Sequence, residues 1–190
     1  GEFDDPTDVD PTNGLTLLVA DAGNGRIQRF SAEFQYLESV PVGRSFGGEM
    51  EQRVFDDGRD GAAVQGRGRP IAVASSPSDE TFAIDAHDNV VLKWDDQRRP
   101  ERILGTGTAF GGDVQTPVAL ALDGNKRFYV ADQGQQAVLE YDLLGTFVRR
   151  LPLTPLRHLQ ALTVHRGRLW IVCTDAVYVW DPEDETAARS

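Results

Sequence analysis

The sequence predicts an all-β fold built from repeats of a four-stranded antiparallel unit. Three observations predict it: short apolar runs alternate with turn residues along the 190-residue chain, glycine (19) and proline (10) are abundant, and one ten-residue pattern recurs. Frequent glycine and proline divide a chain into short segments, as expected for many strands and turns rather than for long helices. The recurring pattern then indicates how the strands are organised.

The recurring pattern is an aspartate followed nine positions later by an aromatic residue. It starts at Asp21 in DAGNGRIQRF, at Asp85 in DAHDNVVLKW and at Asp132 in DQGQQAVLEY. A shorter fourth copy, CTDAVYVW, has Cys173 in place of the aspartate. Internal self-similarity of this kind indicates a repeat architecture, so each copy marks the same point of one structural unit.

Each copy lies between strand-like runs that occur in the same order in every repeat. The first runs are PTDVDP, PIAVASS, PVALALD and LQALTVH, and the second runs, which precede the pattern, are LTLLVA, ETFAI, KRFYVA and GRLWIV. The pattern itself supplies the third strand, and FQYLESVPVG, PERILGTG and TFVRRLPL supply the fourth. The last repeat shows no clear fourth strand, because DPEDETAARS is polar and charged. The predicted repeats are residues 4–43, 69–107, 116–153 and 158–190.

The aspartate and the residues after it form the predicted turn between the second and third strands. Gly23 and Gly25 are expected to permit positive φ there, and the carboxylate of the recurring aspartate is expected to accept backbone N–H groups across the tight turn. The aromatic residues at the end of the pattern are expected to pack between sheets; they are Phe30, Trp94, Tyr141 and Trp180. This turn is therefore first a structural device that each repeat needs.

A single four-stranded sheet cannot bury both of its faces, so the repeats are expected to stack. Repeats of about 40–45 residues with four strands each are typical of a β-propeller. The interval between the first two copies is longer than this, and the excess lies in the glycine-rich segment 44–68, which is predicted to be a long loop. The whole chain, 1–190, is predicted to be a single propeller domain.

Four stretches give the chain a resemblance to the NHL-repeat family: the linker GEFDDP, PTDVD at Pro6–Asp10, LLVADAGNGRIQRF at Leu17–Phe30, and RFYVADQGQQAVLEYD at Arg127–Asp142. The resemblance implies a propeller of about six blades, so the four visible repeats are expected to be part of a larger propeller, with a small closed propeller as the alternative. Because many bacterial members of the family are exported, it also favours a periplasmic or extracellular location.

The charge balance argues against nucleic acid as a partner. The chain has 30 acidic and 19 basic residues, a net charge of −11, and a phosphate-binding surface needs clustered lysine and arginine. No apolar run approaches the roughly 20 residues that a membrane-spanning helix needs. The single cysteine, Cys173, excludes an internal disulfide and is expected to be buried and inert. The oligomeric state is left open.

The residue pattern offers no recognisable catalytic or metal motif. His87, His158 and His165 lack metal-ligand spacing and are expected in loops or at the surface, and the acidic pairs do not follow a calcium-loop pattern. No G-x-S-x-G nucleophile turn is present. No metal and no cofactor is therefore predicted.

The preferred functional hypothesis is a binding or scaffold module for a protein or a small ligand. Loops on a rigid scaffold are the usual place for such contacts. The candidate binding residues lie in the corner turns, the long loop and the Phe-Gly-Gly linker: Asn24, Arg26, Phe46, Arg53, Phe55, His87, Asn89, Phe110, Gln133 and Gln135. The alternative is a metal-dependent propeller enzyme, a lyase or lactone hydrolase, with residues such as Arg69, Asp113 and His158 near an axial site.

Overall fold

The computed structural model describes residues 2–11, 14, 16–43, 68–104, 112–124, 126–153, 155–183 and 186–189. In these residues the chain forms sixteen β-strands and no helix, and the strands make four antiparallel sheets of four strands each. The all-β prediction is therefore confirmed. None of the described residues belongs to a helix that could cross a membrane.

The first two sheets follow each other along the chain. The first sheet contains β1 (Pro6–Asp10), β2 (Thr16–Asp21), β3 (Arg26–Ser31) and β4 (Tyr36–Pro41). The second sheet contains β5 (Pro70–Ser75), β6 (Thr81–Asp85), β7 (Val90–Trp94) and β8 (Pro100–Leu104). In both sheets, neighbours along the chain are neighbours in space, so each sheet is a simple meander.

The last two sheets have the same order. The third sheet contains β9 (Pro117–Asp123), β10 (Arg127–Asp132), β11 (Ala137–Asp142) and β12 (Phe147–Arg150). The fourth sheet contains β13 (Leu159–His165), β14 (Arg168–Cys173), β15 (Val177–Asp181) and β16 (Thr186–Arg189).

The fourth sheet corrects one expectation from the sequence. The last repeat was expected to lack a clear fourth strand, yet β16 pairs with β15 from Asp181↔Thr186 to Tyr178↔Arg189. An edge strand needs main-chain hydrogen bonds to only one neighbour, and charged residues are common on edge strands. A polar composition is therefore a poor reason to reject a strand at the edge of a sheet.

The chain divides into two compact units, Gly1–Ile103 and Leu104–Ser190, which we call the N-terminal and C-terminal units. In the N-terminal unit the first and second sheets pack through one apolar cluster. It consists of Leu18, Ala20, Ile27, Val40, Val42, Val73, Ala83, Val90, Leu92 and Trp94, each at most 3% exposed. Because side chains alternate between the two faces of a strand, only one face of β2 and β3 contributes to this cluster.

A pair of carboxylates adds polar contacts between these two sheets. Asp8 Oδ2 accepts a hydrogen bond from the Val73 N–H at 2.9 Å, and Asp10 Oδ2 accepts from both the N–H (2.6 Å) and the hydroxyl (2.8 Å) of Ser75. The acceptors lie in β1 and the donors in β5. The inner strands of the first and second sheets are therefore joined by hydrogen bonds as well as by apolar packing.

In the C-terminal unit the third and fourth sheets pack through a second apolar cluster. Its largest members are Tyr129, Leu156, Leu169, Ile171 and Trp180, each at most 1% exposed. Cys173 belongs to the same cluster and is 5% exposed, so the prediction of a buried thiol is confirmed.

The aromatic residues of the recurring pattern are core residues in three of the four repeats. Trp94 and Tyr141 are 2% exposed and Trp180 is 1% exposed. Tyr141 stacks on Phe128 at a centroid distance of 5.0 Å and donates a hydrogen bond from its hydroxyl to the Gly112 carbonyl at 2.6 Å. Phe30 differs, since it is only half-buried and contacts Phe3 at a centroid distance of 5.9 Å.

Candidate functional site

The corner between the second and third strands of the first three sheets is organised by a buried aspartate. Asp21, Asp85 and Asp132 are each 0% exposed. Their carboxylates accept hydrogen bonds from the N–H of Asp4 (2.8 Å), Arg69 (2.8 Å) and Gln115 (2.6 Å), respectively. Each donor lies in the segment that leads into the first strand of the same sheet. The carboxylate thus ties the corner to the incoming chain.

Two of these carboxylates also accept N–H groups within the turn, as the sequence predicts. The His87 N–H donates to Asp85 Oδ1 at 2.9 Å, and the Gln135 N–H donates to Asp132 Oδ1 at 3.0 Å. The hydrogen bonds to the incoming chain were not anticipated, because they join residues 16 or 17 positions apart.

The turns share one left-handed residue, four positions after the aspartate. It is Gly25 (φ 62°) in the first turn, Asn89 (φ 55°) in the second and Gln136 (φ 53°) in the third. The expectation of positive φ is confirmed for Gly25 and corrected for Gly23, which is not among the positive-φ residues. Gly23 is needed for a different reason, since a Cβ there would lie 2.5 Å from Asp4 Cγ and 2.8 Å from Asp4 O.

Asn24 and Arg26, two of the predicted binding residues, are used within the first corner. The Asn24 amide donates to both Asp21 carboxylate oxygens at 3.0–3.1 Å and to the Glu2 carbonyl at 3.1 Å. Arg26 is 4% exposed, and its Nε donates to Asp21 Oδ2 at 2.7 Å while its Nη2 donates to the Glu2 carbonyl at 3.0 Å. Both side chains therefore stabilise the turn.

The electrostatics of this corner follow from the same hydrogen bonds. Burial alone would raise the pKa of Asp21, but the hydrogen bonds from the Asp4 N–H and from Arg26, followed by those of Gln28 and Asn24, hold that pKa below the usual range of an aspartate. The carboxylate is therefore ionised at neutral pH and compensates the buried Arg26 guanidinium.

His87 and Asn89 occupy a different position, because both side chains are exposed on the second corner. The backbone beneath them is fixed by Asp85, which accepts the His87 N–H, and by the hydrogen bond from the Ala86 N–H to the Arg69 carbonyl at 2.9 Å. Arg69 Nη2 also donates to Asp5 Oδ2 at 3.0 Å, which links the second corner to the segment that supports the first. The two corners of the N-terminal unit therefore lie at one end of that unit, and we call this end the corner surface.

Gln133 and Gln135 lie on the third corner, in the C-terminal unit, and both side chains are partly buried. Gln133 Oε1 accepts a hydrogen bond from the Leu159 N–H at 2.7 Å, so it joins the third sheet to the start of β13. Gln135 Nε2 donates to the Asp113 carbonyl at 2.6 Å. These amides hold neighbouring segments together, in the same way as Asn24 does in the first corner.

Four predicted binding residues lie outside the described residues: Phe46, Arg53, Phe55 and Phe110. Among the residues that the structure describes, no group of three or more His, Cys, Asp or Glu side chains could hold a metal ion. His87, His158 and His165 are all exposed. His158 uses its backbone carbonyl to accept the Thr174 N–H at 3.2 Å.

A cluster of ion pairs between the first and second sheets was not predicted. Arg29, 2% exposed, pairs with Glu38 at 3.0 Å and with Asp79 at 3.0 Å. Arg98, in the turn between β7 and β8, pairs with Glu38 at 2.9 Å and also with Asp79. The Asp79 carboxylate lies in the turn between β5 and β6. It therefore receives two guanidinium groups at the junction of the two sheets.

The residue before the aromatic was the available signal for this cluster. That position is charged in the first three repeats, as Arg29, Lys93 and Glu140, although it directly precedes the aromatic residue expected to pack between sheets. All three side chains are at most 4% exposed, and each is paired: Lys93 with Glu80 at 2.7 Å, and Glu140 with Arg127 (2.6 Å) and Arg149 (2.7 Å). A charge at a buried register position indicates an ion pair between strands.

Comparison with solved structures decides the fold. RRP9 WD40 repeats match with a TM-score of 0.68 and 16% identity, over 100% of this chain and 52% of that chain. A nidogen/laminin complex chain matches with a TM-score of 0.66 and 14% identity, over 99% and 64%. Virginiamycin B lyase from Staphylococcus aureus matches with a TM-score of 0.64 and 9% identity, over 92% and 51%.

The fold is that of a β-propeller. This confirms the predicted fold class, whereas the NHL family is a finer assignment that stays a prediction, because no family model and no curated protein matches the sequence. The chain spans about half the length of the first propellers it resembles, 52% in two of them and 53% in a third. Identities of this size show a shared fold alone.

Proposed function

We propose that this β-propeller chain is a binding module and that the corner surface of the N-terminal unit contacts a protein partner. The observation that carries the proposal is the contrast among the corner residues. His87 and Asn89 are exposed on a turn whose backbone is anchored by a buried carboxylate, whereas Asn24 and Gln133, predicted binding residues of the other two corners, use their side chains in internal hydrogen bonds. A turn whose backbone is already fixed loses little further backbone freedom when a partner binds.

The charges around His87 support a polar contact. Arg69 and Asp5, both more than half exposed at their side chains, form an ion pair beside the second corner. An exposed pair of this kind contributes little to stability, so both groups remain able to bond to a partner. A chain of similar fold occurs in the structure of a nidogen/laminin complex, which is a protein–protein assembly.

A metal-dependent enzyme is the second candidate, and the similarity in fold to virginiamycin B lyase favours it. The described residues offer no cluster of His, Cys, Asp or Glu that could serve as a metal site, so the binding module has the stronger support. A metal that binds the folded protein raises its unfolding temperature by mass action. An unfolding temperature raised by Mg²⁺, Mn²⁺ or Zn²⁺ would therefore favour the enzyme.

The binding proposal is tested with a variant of the exposed corner. His87→Ala combined with Asn89→Gly removes both side chains, and glycine tolerates the positive φ at position 89. The wild-type chain and the variant are immobilised, and the proteins that each retains from an extract of the source organism are quantified by mass spectrometry. We expect at least one protein to be retained about tenfold less by the variant, as for the loss of about 1.4 kcal/mol of binding free energy.

The matched control is Asp96→Ala combined with Gln97→Ala. These residues are also exposed in the second sheet but lie in the turn between β7 and β8, at the opposite end from the corner. The control is expected to retain the same proteins as the wild type. Equal retention by the corner variant and the wild type, with unchanged unfolding temperatures, would refute a partner at this surface.

A further inference from the structure

The second corner of the N-terminal unit contains a buried carboxylate oxygen without a hydrogen-bond donor. Asp85 is 0% exposed, and its Oδ1 accepts the N–H groups of Arg69 (2.8 Å) and His87 (2.9 Å). Among the residues that the structure describes, its Oδ2 has no hydrogen-bond partner and its carboxylate forms no ion pair. Leaving such an oxygen unbonded is costly, so it indicates a donor from outside the corner.

The first corner compensates the same carboxylate from within the chain. Asp21 Oδ2 accepts hydrogen bonds from Arg26 Nε at 2.7 Å and from Gln28 Nε2 at 2.8 Å. In the second sheet, Val90 lies opposite the aspartate, at the register position of Arg26. Leu92 likewise takes the position of Gln28. Both donors are replaced by apolar residues, so the second corner has no internal counter-charge from these positions.

The third corner satisfies its carboxylate with backbone groups. Asp132 Oδ1 accepts the N–H groups of Thr116 (3.1 Å) and Gln135 (3.0 Å), and Oδ2 accepts that of Gln115 (2.6 Å). Both oxygens are thus bonded within the C-terminal unit. Of the three corner aspartates, Asp85 alone has an oxygen that is left unbonded in the described part of the chain.

The accessible charges around the two corners of the N-terminal unit are mostly negative. The corner turns 22–25 and 86–89 and the incoming segments 2–5 and 68–69 contain five charged residues, all exposed or partly exposed: Glu2, Asp4, Asp5, Arg69 and Asp88. The one cation, Arg69, already pairs with Asp5 at 3.0 Å. Surface charges of one sign attract a ligand of the opposite sign, and a buried charge is screened less than an exposed one.

We propose that the partner at the corner surface presents a basic segment, and that one of its cationic side chains binds at the second corner. This arginine or lysine side chain lies against the turn that carries His87 and Asn89, with Asp88 beside it and Asp85 beneath it. It supplies the positive charge that Arg26 supplies within the first corner. The inference rests on the proposed function, because it specifies the chemistry of the partner at the same surface.

Peptides of defined charge test this proposal on the full chain. Short labelled peptides that alternate glycine with arginine, lysine, glutamate or serine are titrated with the protein, and binding is followed by fluorescence anisotropy. In about 0.15 M salt we expect saturable binding of the arginine or the lysine peptide, or of both, and none of the glutamate and serine peptides at millimolar concentration. Binding should weaken when salt is raised to about 0.5 M, because salt screens the attraction.

Variants that remove one charge place the binding on the molecule. Asp88→Asn and Asp85→Asn are each expected to weaken binding of the cationic peptide about three- to fivefold, the size expected for one ion pair near the surface. Asp85→Asn keeps an acceptor for the two N–H groups of the corner. Asp88 is partly exposed, so Asp88→Asn is expected to fold and tests the corner independently of the buried position.

The matched control is Asp96→Asn, which removes the same charge at the opposite end of the second sheet. The five residues of β7 separate it from the corner. Their length of about 16 Å exceeds the Debye length of about 8 Å in 0.15 M salt. The control is therefore expected to bind the cationic peptide as tightly as the wild type does.

The outcomes distinguish a wrong partner chemistry from a wrong function. The basic partner is overturned if the glutamate or serine peptide binds as tightly as the cationic ones, if no cationic peptide binds, or if Asp88→Asn and Asp96→Asn have equal affinities. A protein from the extract that is lost with His87→Ala and Asn89→Gly, but retained fully by Asp88→Asn, would keep the binding module and also overturn the basic partner. Equal retention by all of these variants and the wild type would refute both.

Discussion

At the scale of single residues, each of the first three corners has a glycine where the turn contacts the incoming segment. The glycine belongs to the turn in two corners and to the incoming segment in the other. In the first corner it is Gly23 in the turn, opposite Asp4; in the third it is Gly134, whose Cβ would lie 2.8 Å from Gln115 Cβ. In the second corner the turn carries His87, and Gly68 in the incoming segment approaches Asp85 instead. The contact requires a missing side chain, and either segment can provide it.

This arrangement predicts that Gly23→Ala is destabilising although its backbone φ is ordinary. The new methyl would overlap Asp4 and disturb the hydrogen bonds that the Asp4 N–H and carbonyl make to Asp21 and to the Gly23 N–H. We expect a loss of about 1–3 kcal/mol in the free energy of unfolding, measured by denaturant titration.

Two further variants control this prediction. His87→Ala alters the same turn position of the second corner, where a side chain is already present, and is expected to change stability by less than about 0.5 kcal/mol. Asp4→Gly in the Gly23→Ala background should restore part of the loss, because it moves the glycine to the other side of the contact, as in the second corner. Simple additivity of the two changes would contradict this explanation.

The residue scale also shows what the sequence could not reveal about the candidate site. The corner aspartates were recognisable because they recur at a fixed distance from an aromatic. Their donors, such as Arg69 and Gln115, could not be identified, because a hydrogen bond from a backbone N–H leaves no mark on residue identity. For the same reason Asn24 and Gln133 looked like binding residues, although their amides are used internally.

At the scale of elements, the turn between β5 and β6 joins two sheets through one carboxylate. Burial would raise the pKa of Asp79, but hydrogen bonds from Arg98 and Arg29 and the charges of both hold it below 3.8. The pKa of Asp21 is lowered in the same way. A carboxyl whose pKa is lower in the folded state stabilises the fold above the unfolded pKa, and this stabilisation is lost as pH falls through the folded value.

The pH dependence of stability should follow from these two groups. We expect the unfolding temperature to change little between about pH 7 and 5 and to fall as pH decreases below about 4. Asp8 opposes this trend, because burial raises its pKa and its protonation therefore favours the folded state. The measurement is thermal unfolding at a series of pH values in constant salt.

Asp79→Asn isolates the contribution of the turn. Its unfolding temperature should lie below that of the wild type at neutral pH. The difference should shrink as pH falls below the usual carboxyl range, because Asp79 in the wild type then also becomes protonated. Asp96 is an exposed residue of the same sheet, so the unfolding temperature of Asp96→Asn should change with pH in the same way as that of the wild type. A difference for Asp79→Asn that stays constant with pH would contradict a role for its charge.

The strands themselves were largely predictable, because alternation and turn residues mark them locally. The strand-like runs PTDVDP, LTLLVA, PIAVASS and ETFAI match β1, β2, β5 and β6 to within one residue at each end. The edge strand β16 was missed because its formation depends on β15 rather than on its own composition. The ion pairs between sheets were missed because they depend on which turn lies against which strand, and this is a property of the packing.

At the scale of the whole molecule, the acidic balance affects stability as well as the choice of partners. With a net charge of −11, the excess acidic side chains repel one another in the compact state, and salt screens this repulsion. We expect the unfolding temperature at neutral pH to rise by a few degrees when salt is increased from about 0.01 M to 0.15 M. A fall in unfolding temperature over the same range would show that the exposed ion pairs contribute more than the excess charge costs.

The number of sheets was predictable from the number of corner patterns, and the four sheets match the four copies. The propeller fold was predictable from the same count together with the spacing. The expectation that the chain is part of a larger propeller stays a prediction.

The hydrogen bond that ties each corner to its own incoming segment has a consequence for how such a chain can arise and fold. It is closed within 16 or 17 residues, so each of the first three sheets can acquire its corner soon after its second strand is made. Contacts of short sequence separation form quickly. A gene segment that encodes one repeat therefore carries its own corner with it, and duplication or loss of a segment leaves the other corners intact.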